Sequence, residues 1–206
     1  MILKARHHWF YYPFFTWYSR RMPRRDFSRI EIHHTVKDNG DAILMIGNHV
    51  SWWDGFLAHY INLELFHRKI HIMMLEEQLE KRMFLNKAGA YSIRKGTRSA
   101  LESLQYTAEI LSDPGNMVVL YPQGRIHSIS DLPVSFEKGW YRIFSYLSRP
   151  IRVIFYISLF DYFSSRKPEL HLYVYDYDHR GKGVEEMENE FNRHIQQSIH
   201  QQKQWA

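Results

Sequence analysis

The 206-residue chain has no cysteine. Disulfides, thiolate zinc sites and a cysteine nucleophile are therefore excluded, and the absence suits a reducing cytosol. Long hydrophobic runs are also missing. No stretch reaches the ~18 apolar residues that a membrane-spanning helix needs. The segment from Trp9 to Tyr18 does not read as a secretory leader, because it is mostly aromatic, contains Pro13 and lacks a small-residue cleavage site. No internal repeat, low-complexity tract or linker interrupts the chain, so one domain with a sizeable core is expected. Acidic residues are in deficit, 22 against 27 basic, which leaves a net charge of +5. A basic surface attracts nucleic acid, anionic lipid or acidic substrates without choosing among them.

Aromatic residues, by contrast, are plentiful: 14 Tyr, 13 Phe and 6 Trp. Many fall in the first 26 residues, where Trp9, Phe10, Tyr11, Tyr12, Phe14, Phe15, Trp17 and Tyr18 precede Arg20, Arg21, Arg24 and Arg25. Rings beside clustered arginine suit a segment lying on anionic lipid. The same pattern also suits an amphipathic helix packed on the domain with its arginines in water. The expected division is an interfacial arm over residues 1–26 and a folded domain over 27–206. The expected location is peripheral, on the cytoplasmic side of the inner membrane.

Beyond the arm, short apolar runs alternate with amphipathic stretches. Strands are predicted at residues 42–46, 70–75, 90–93, 117–121, 151–159 and 170–177, the last alternating like an edge strand. Helices are predicted at 54–66, 76–84, 97–111, 137–147 and 184–202. The last of these carries Met187, Phe191, Ile195 and Ile199 on one stripe. The alternation implies an α/β fold, a mixed sheet flanked by helices.

The segment Asn48-His49-Val50-Ser51-Trp52-Trp53-Asp54 follows the strand that ends at Gly47. Functional groups gather at the carboxyl ends of strands in open α/β sheets. A histidine there, with an aspartate five residues on, can form a base and its orienter: the carboxylate keeps one ring nitrogen protonated and the other accepts a substrate proton. Trp52 and Trp53 supply apolar walls that strengthen the hydrogen bond. By themselves the two residues fit equally a helix cap and a structural loop histidine.

Three further blocks narrow the choice: Gly89-Ala90-Tyr91-Ser92-Ile93-Arg94-Lys95-Gly96, Tyr121-Pro122-Gln123-Gly124-Arg125 and Phe136-Glu137-Lys138-Gly139. With the first motif they resemble, in order, the four motifs of the glycerolipid acyltransferases, the group that includes lysophosphatidic acid (1-acylglycerol-3-phosphate) acyltransferases. The resemblance covers roughly residues 27–160. It implies transfer of a fatty acyl group from acyl-CoA or acyl carrier protein to a lipid hydroxyl, with His49 as general base supported by Asp54 and no cofactor beyond the thioester. Asn48, Ser51, Arg94, Lys95, Gln123, Gly124 and Arg125 are the implied substrate contacts, and a backbone N–H near Gly124 is the implied oxyanion donor. Four positions depart from the family pattern: Gln123 stands for a glutamate, Arg125-Ile126 for Thr-Arg, and Val153 for a proline. These shift the expectation toward an acceptor other than plain lysophosphatidate, such as a glycolipid, an aminolipid or a pigment. A silent lipid-binding relative is the other reading, opposed by the intact His49 and Asp54.

The remaining signals are bland. His7-His8 and His33-His34 lack partners at metal spacing, and His171 and His179 near Asp176 and Asp178 do not make a convincing metal set. No nucleic-acid motif accompanies the basic charge. Tyr173, Tyr175 and Tyr177 alternate on one strand face and read as packing.

Overall fold

The structure, a computed structural model, describes residues 2–205, the last for its backbone alone. In chain order the elements are α1 (Tyr11–Asp26), β1 (Arg29–His34), β2 (Ile43–Gly47), α2 (Asp54–Leu65), β3 (Lys69–Leu75), α3 (Glu76–Glu80), α4 (Met83–Asn86), β4 (Ala90–Ile93), α5 (Arg98–Ile110) and β5 (Asn116–Leu120). A 3₁₀ turn (Lys138–Arg142) leads into α6 (Ile143–Tyr146), and β6 (Arg152–Asp161), β7 (Glu169–Tyr177) and α7 (Val184–Gln202) follow. Seven strands form one mixed sheet in the order β1-β7-β6-β2-β5-β3-β4. Every neighbouring pair is parallel except β6 with β7.

β2 lies at the centre, and all five of its residues are buried. A parallel strand covered on both faces needs a continuous apolar run, and Ile43-Leu44-Met45-Ile46 is one. Leu44 and Ile46 point into a core shared with α5, Trp140 and α7. Ile43 and Met45 point into a second core beneath α1 and α2. The predicted apolar stripe of α7 is borne out, with Met187, Phe191 and Ile195 buried and Ile199 packed beside them.

Some predicted elements differ. β7 is not an edge strand: it pairs with β6 on one side and β1 on the other. The true edge, β1, went unpredicted because only Ile30 and Ile32 mark its alternation. The single helix expected over 76–84 is two short ones, broken at Arg82, whose φ −140° and ψ 50° leave the helical region. The helix expected over 137–147 begins as a 3₁₀ turn.

The N-terminal arm is built into the fold. Residues 3–8 run along the far side of β4, with Leu3 and Ser92 exchanging bonds, Arg6 N–H donating to Asn86 O, and His8 N–H to Lys87 O. α1 then packs on α2 through Tyr12, Phe15, Tyr18 and the buried Met22. Trp9, Phe10, Phe14 and Trp17 stay exposed on the outer side. Among the described residues no helix is long and apolar enough to cross a membrane.

Candidate active site

The carboxyl ends of β2, β3, β4 and β5 meet at one end of the sheet. The turn after β2 folds back on itself around Asp54, which is fully buried. One oxygen, Oδ2, accepts three bonds of 2.8 Å, from His49 Nδ1, Val50 N–H and Ser51 N–H. The carboxylate therefore looks back into the loop and does not cap the helix it starts. The bond fixes the imidazole tautomer: Nδ1 carries the hydrogen, and Nε2 is left to accept a proton.

The rest of the site holds that histidine still. His49 N–H donates to Gln123 Oε1 at 2.6 Å, and His49 O accepts from His127 N–H at 2.9 Å. The ring of Tyr121 stacks on the imidazole with centroids 4.5 Å apart. Tyr121 and Tyr156 share a hydroxyl bond of 2.7 Å, and Tyr156 donates to the main-chain oxygen of Asp54. Burial, followed by the nearby Asp54 charge, pushes the Tyr121 hydroxyl well above its ordinary range. Burial and then Tyr121 do the same to Tyr156. Both phenols thus remain neutral and brace the loop as hydrogen-bonding groups. Tyr121 heads the third motif, so a signal for it exists in the sequence. Tyr156 has none.

Gly47 is required by this arrangement. A Cβ there would lie 2.1 Å from Tyr156 Cε1. Both residues are fully buried in a close-packed core that has no room to yield. We expect Gly47→Ala to destabilise the fold by about 1–3 kcal/mol and to disturb the Tyr121–His49 stack as well. Urea unfolding would measure the first, and an unchanged midpoint would show that Tyr156 is not needed where it sits.

A cavity of about 700 Å³ opens beside His49. It straddles the sheet end at β3. One lobe descends between β3 and α2 past Phe56, Ile72 and Leu85 to Phe15, His59 and Ala88. The other lies toward α5 and the 3₁₀ turn, where Leu101, Leu104 and Trp140 are joined by Lys95, Arg125 and Arg142.

The residues expected at substrate divide into two groups. His49, Lys95, Gly124 and Arg125 line the cavity. Asn48, Ser51, Arg94 and Gln123 are not among its walls and have other partners. Asn48 bonds Ser158 through both ends of its amide, tying β2 to β6. Ser51 Oγ accepts from Trp53 N–H. Gln123 is buried beneath the His49 loop. Arg94 forms an ion pair with Glu76. Lys95 Nζ reaches Gly124 O at 3.2 Å and Glu137 at 3.0 Å. Gly124 itself has φ +70°, and a Cβ there would meet Lys95 Nζ at 2.2 Å. Its N–H donates to Tyr121 O within the turn, so it is not the expected oxyanion donor. The sequence motifs did not single out Arg142 or His59.

A buried aspartate orienting a histidine at the mouth of an apolar cavity, after the central strand of an α/β sheet, is where the sequence motifs had pointed. A model of the family described as Acyltransferase matches residues 28–156. The chain belongs to the acyltransferase family. The acyltransferase also has the fold of a solved relative, the 1-acyl-sn-glycerophosphate (LPA) acyltransferase PlsC from Thermotoga maritima. The TM-score is 0.63, the identity 12%, and the alignment covers 92% of this chain and 78% of that one. At that identity the likeness speaks for the fold. No curated protein matches the sequence. The family read from the four motifs, and the mixed sheet flanked by helices expected from the alternating strands and helices, are both borne out.

Proposed function

We propose that this acyltransferase moves a fatty acyl group from a thioester, acyl-CoA or acyl carrier protein, to the hydroxyl of a lysophospholipid-like or related lipid. The observation that carries the reading is the 2.8 Å bond between His49 Nδ1 and the buried Asp54 at the cavity mouth. His49 Nε2 takes the proton of the acceptor hydroxyl as its oxygen attacks the thioester carbonyl. The carbon–sulfur bond then breaks, and the imidazolium returns the proton to the departing thiolate. Asp54 stabilises the imidazolium without being protonated. Among the described residues the cavity wall supplies no cysteine or serine nucleophile, in keeping with direct transfer.

The apolar lobe beside α2 suits the donor's acyl chain. The second lobe suits the acceptor, its polar head near Lys95, Arg125 and Arg142 and its own chain against Leu101, Leu104 and Trp140. The exposed rings of α1, with Trp52 and Trp53 from the catalytic loop, suit peripheral docking on a bilayer. A lipid substrate would then reach the cavity without crossing water.

The acceptor's charge is open to test. Arg94 and Lys95 already have carboxylate partners in Glu76 and Glu137, which favours an acceptor of low charge over plain lysophosphatidate. The experiment is incubation of purified protein with labelled donors and a panel of phosphate-bearing and neutral lipid alcohols, with products identified by mass spectrometry. If a phosphate acceptor is used, Arg125→Gln should raise its KM about 10- to 100-fold, the effect of losing one charge-assisted bond. A neutral acceptor should be much less affected. Equal loss for both classes would assign Arg125 to the donor or to the fold, and no acylated product from any acceptor would overturn the function.

A further inference from the structure

The acyl lobe does not end on a purely apolar floor. His59, on α2, lines it and is 5% exposed. Its Nδ1 lies 3.2 Å from the hydroxyl of Ser19 on α1, within hydrogen-bond reach. Its Nε2 is buried and has no partner among the described residues. The lobe around it is built from Phe15, Phe56, Ile70, Ile72, Leu85 and Ala88, and none of these side chains can hydrogen-bond. Buried polar groups are almost always satisfied, so this nitrogen calls for a partner that arrives with the substrate.

We infer that the acyl chain accepted here carries a hydroxyl group, which meets His59 Nε2 at the floor of the lobe. This rests on the reading that the lobe holds the acyl chain. A hydroxyl fits better than other polar groups. It both donates and accepts, so it satisfies Nε2 whichever tautomer the bond to Ser19 selects. A carboxylate would fit only a protonated ring. Burial, followed by the nearby Arg20 and His7 charges, pulls the His59 pKa down to about 4, so the ring is neutral near neutral pH.

Position along the chain follows from the fold. His59 lies four residues beyond Gly55 on α2, a descent of roughly 6 Å at 1.5 Å per residue. On the facing strand the residues of this face run from Met74 down to Ile70, roughly 13 Å at 3.3 Å per residue. The thioester must sit at the His49 end. The hydroxyl is therefore placed well down the chain, away from the carbons adjoining the carbonyl.

The test is equilibrium binding by titration calorimetry. The probes are non-hydrolysable phosphopantetheine thioethers with a palmitoyl-length chain, plain or with one hydroxyl moved stepwise along it. Phosphopantetheine is the arm common to CoA and carrier protein, so the result does not depend on which is the donor. One position well down the chain should bind about tenfold tighter than the plain chain, with its neighbours weaker. His59→Phe should remove that preference, and His59→Gln, which keeps a hydrogen-bonding amide, should retain part of it.

A hydroxyl that weakens binding wherever it is placed, or a preference that survives in folded His59→Phe, overturns the inference. If His59→Phe does not fold, the positional series on the unaltered protein decides. Gly55→Phe separates this failure from that of the underlying reading. A Cβ at Gly55 already lies 3.3 Å from Ile72 Cδ1, so a phenyl ring there would plug the lobe. Plain-chain binding that Gly55→Phe abolishes, without any hydroxyl preference, sinks only the hydroxyl. Absent binding, or binding indifferent to Gly55→Phe, sinks both.

Discussion

His49→Ala will lower acyl transfer to near background while leaving the fold intact, because His49 donates only one side-chain bond, to Asp54, and its backbone bonds to Gln123 and His127 do not need the ring. Asp54→Asn is expected to be nearly as severe, on the order of 10³–10⁴ in kcat. An amide oxygen can still accept from Val50 and Ser51, so the loop should hold. The neutral amide cannot stabilise an imidazolium, however. The distinguishing readout is kcat against KM. Loss of a base lowers kcat with KM little changed, whereas collapse of the loop would raise KM and lower the melting temperature too. Near-normal turnover in folded His49→Ala would remove the general-base assignment.

The second large effect concerns the bilayer. Trp9, Phe10 and Trp17 are 80%, 55% and 56% exposed, and Trp53 from the His49 loop is 42% exposed. They form one aromatic surface: Trp9 touches Phe10, Phe10 stacks on Phe14, and Phe14 meets both Trp17 and Tyr18, which in turn touches Trp53. If each ring buries half its area in lipid, it contributes roughly 1–2 kcal/mol. Replacing Trp9, Phe10, Trp17 and Trp53 with serine should therefore cut vesicle partitioning by about 10³-fold or more, in high salt as in low. The arginines of the arm should matter less than their number suggests. Arg25 is bonded to Asp26 at 2.7 Å, and Arg24 lies 3.7 Å from Glu64. At about 1 kcal/mol per arginine near an anionic surface, replacing Arg20, Arg21, Arg24 and Arg25 with glutamine should cost roughly 10- to 100-fold, and only at low salt. Co-sedimentation with vesicles of graded anionic content measures both. Unchanged binding by the serine variant would return the arm to ordinary packing.

Much of this molecule was legible in one dimension. α2, β4, α7 and the central strands follow from apolar period and turn chemistry, and the matched boundaries of β4 and α7 show how strongly a clear period constrains a segment. The His49–Asp54 pair was also legible, because the two residues are neighbours in sequence and their hydrogen bond closes within a single turn. β1 was not, since two isoleucines between charged residues and histidines give a weak pattern, and its strand character comes from pairing with β7 over a hundred residues away.

The sequence by itself therefore determined the family, the α/β layering and the position of His49 and Asp54. All three depend on short-range patterns that survive without coordinates. Tertiary structure alone decided which motif residues face the cavity. Asn48 adjoins His49 in the first motif and Gln123 stands in the third, yet both are spent on holding backbone. Tyr156, more than a hundred residues from His49, braces its loop through Tyr121. Only the three-dimensional fold brings His59 of α2 against Ser19 of α1, with one ring nitrogen left at the floor of an apolar lobe. A residue type states which bonds a side chain is able to make. The bonds it does make depend on which distant segments the closed core presses against it.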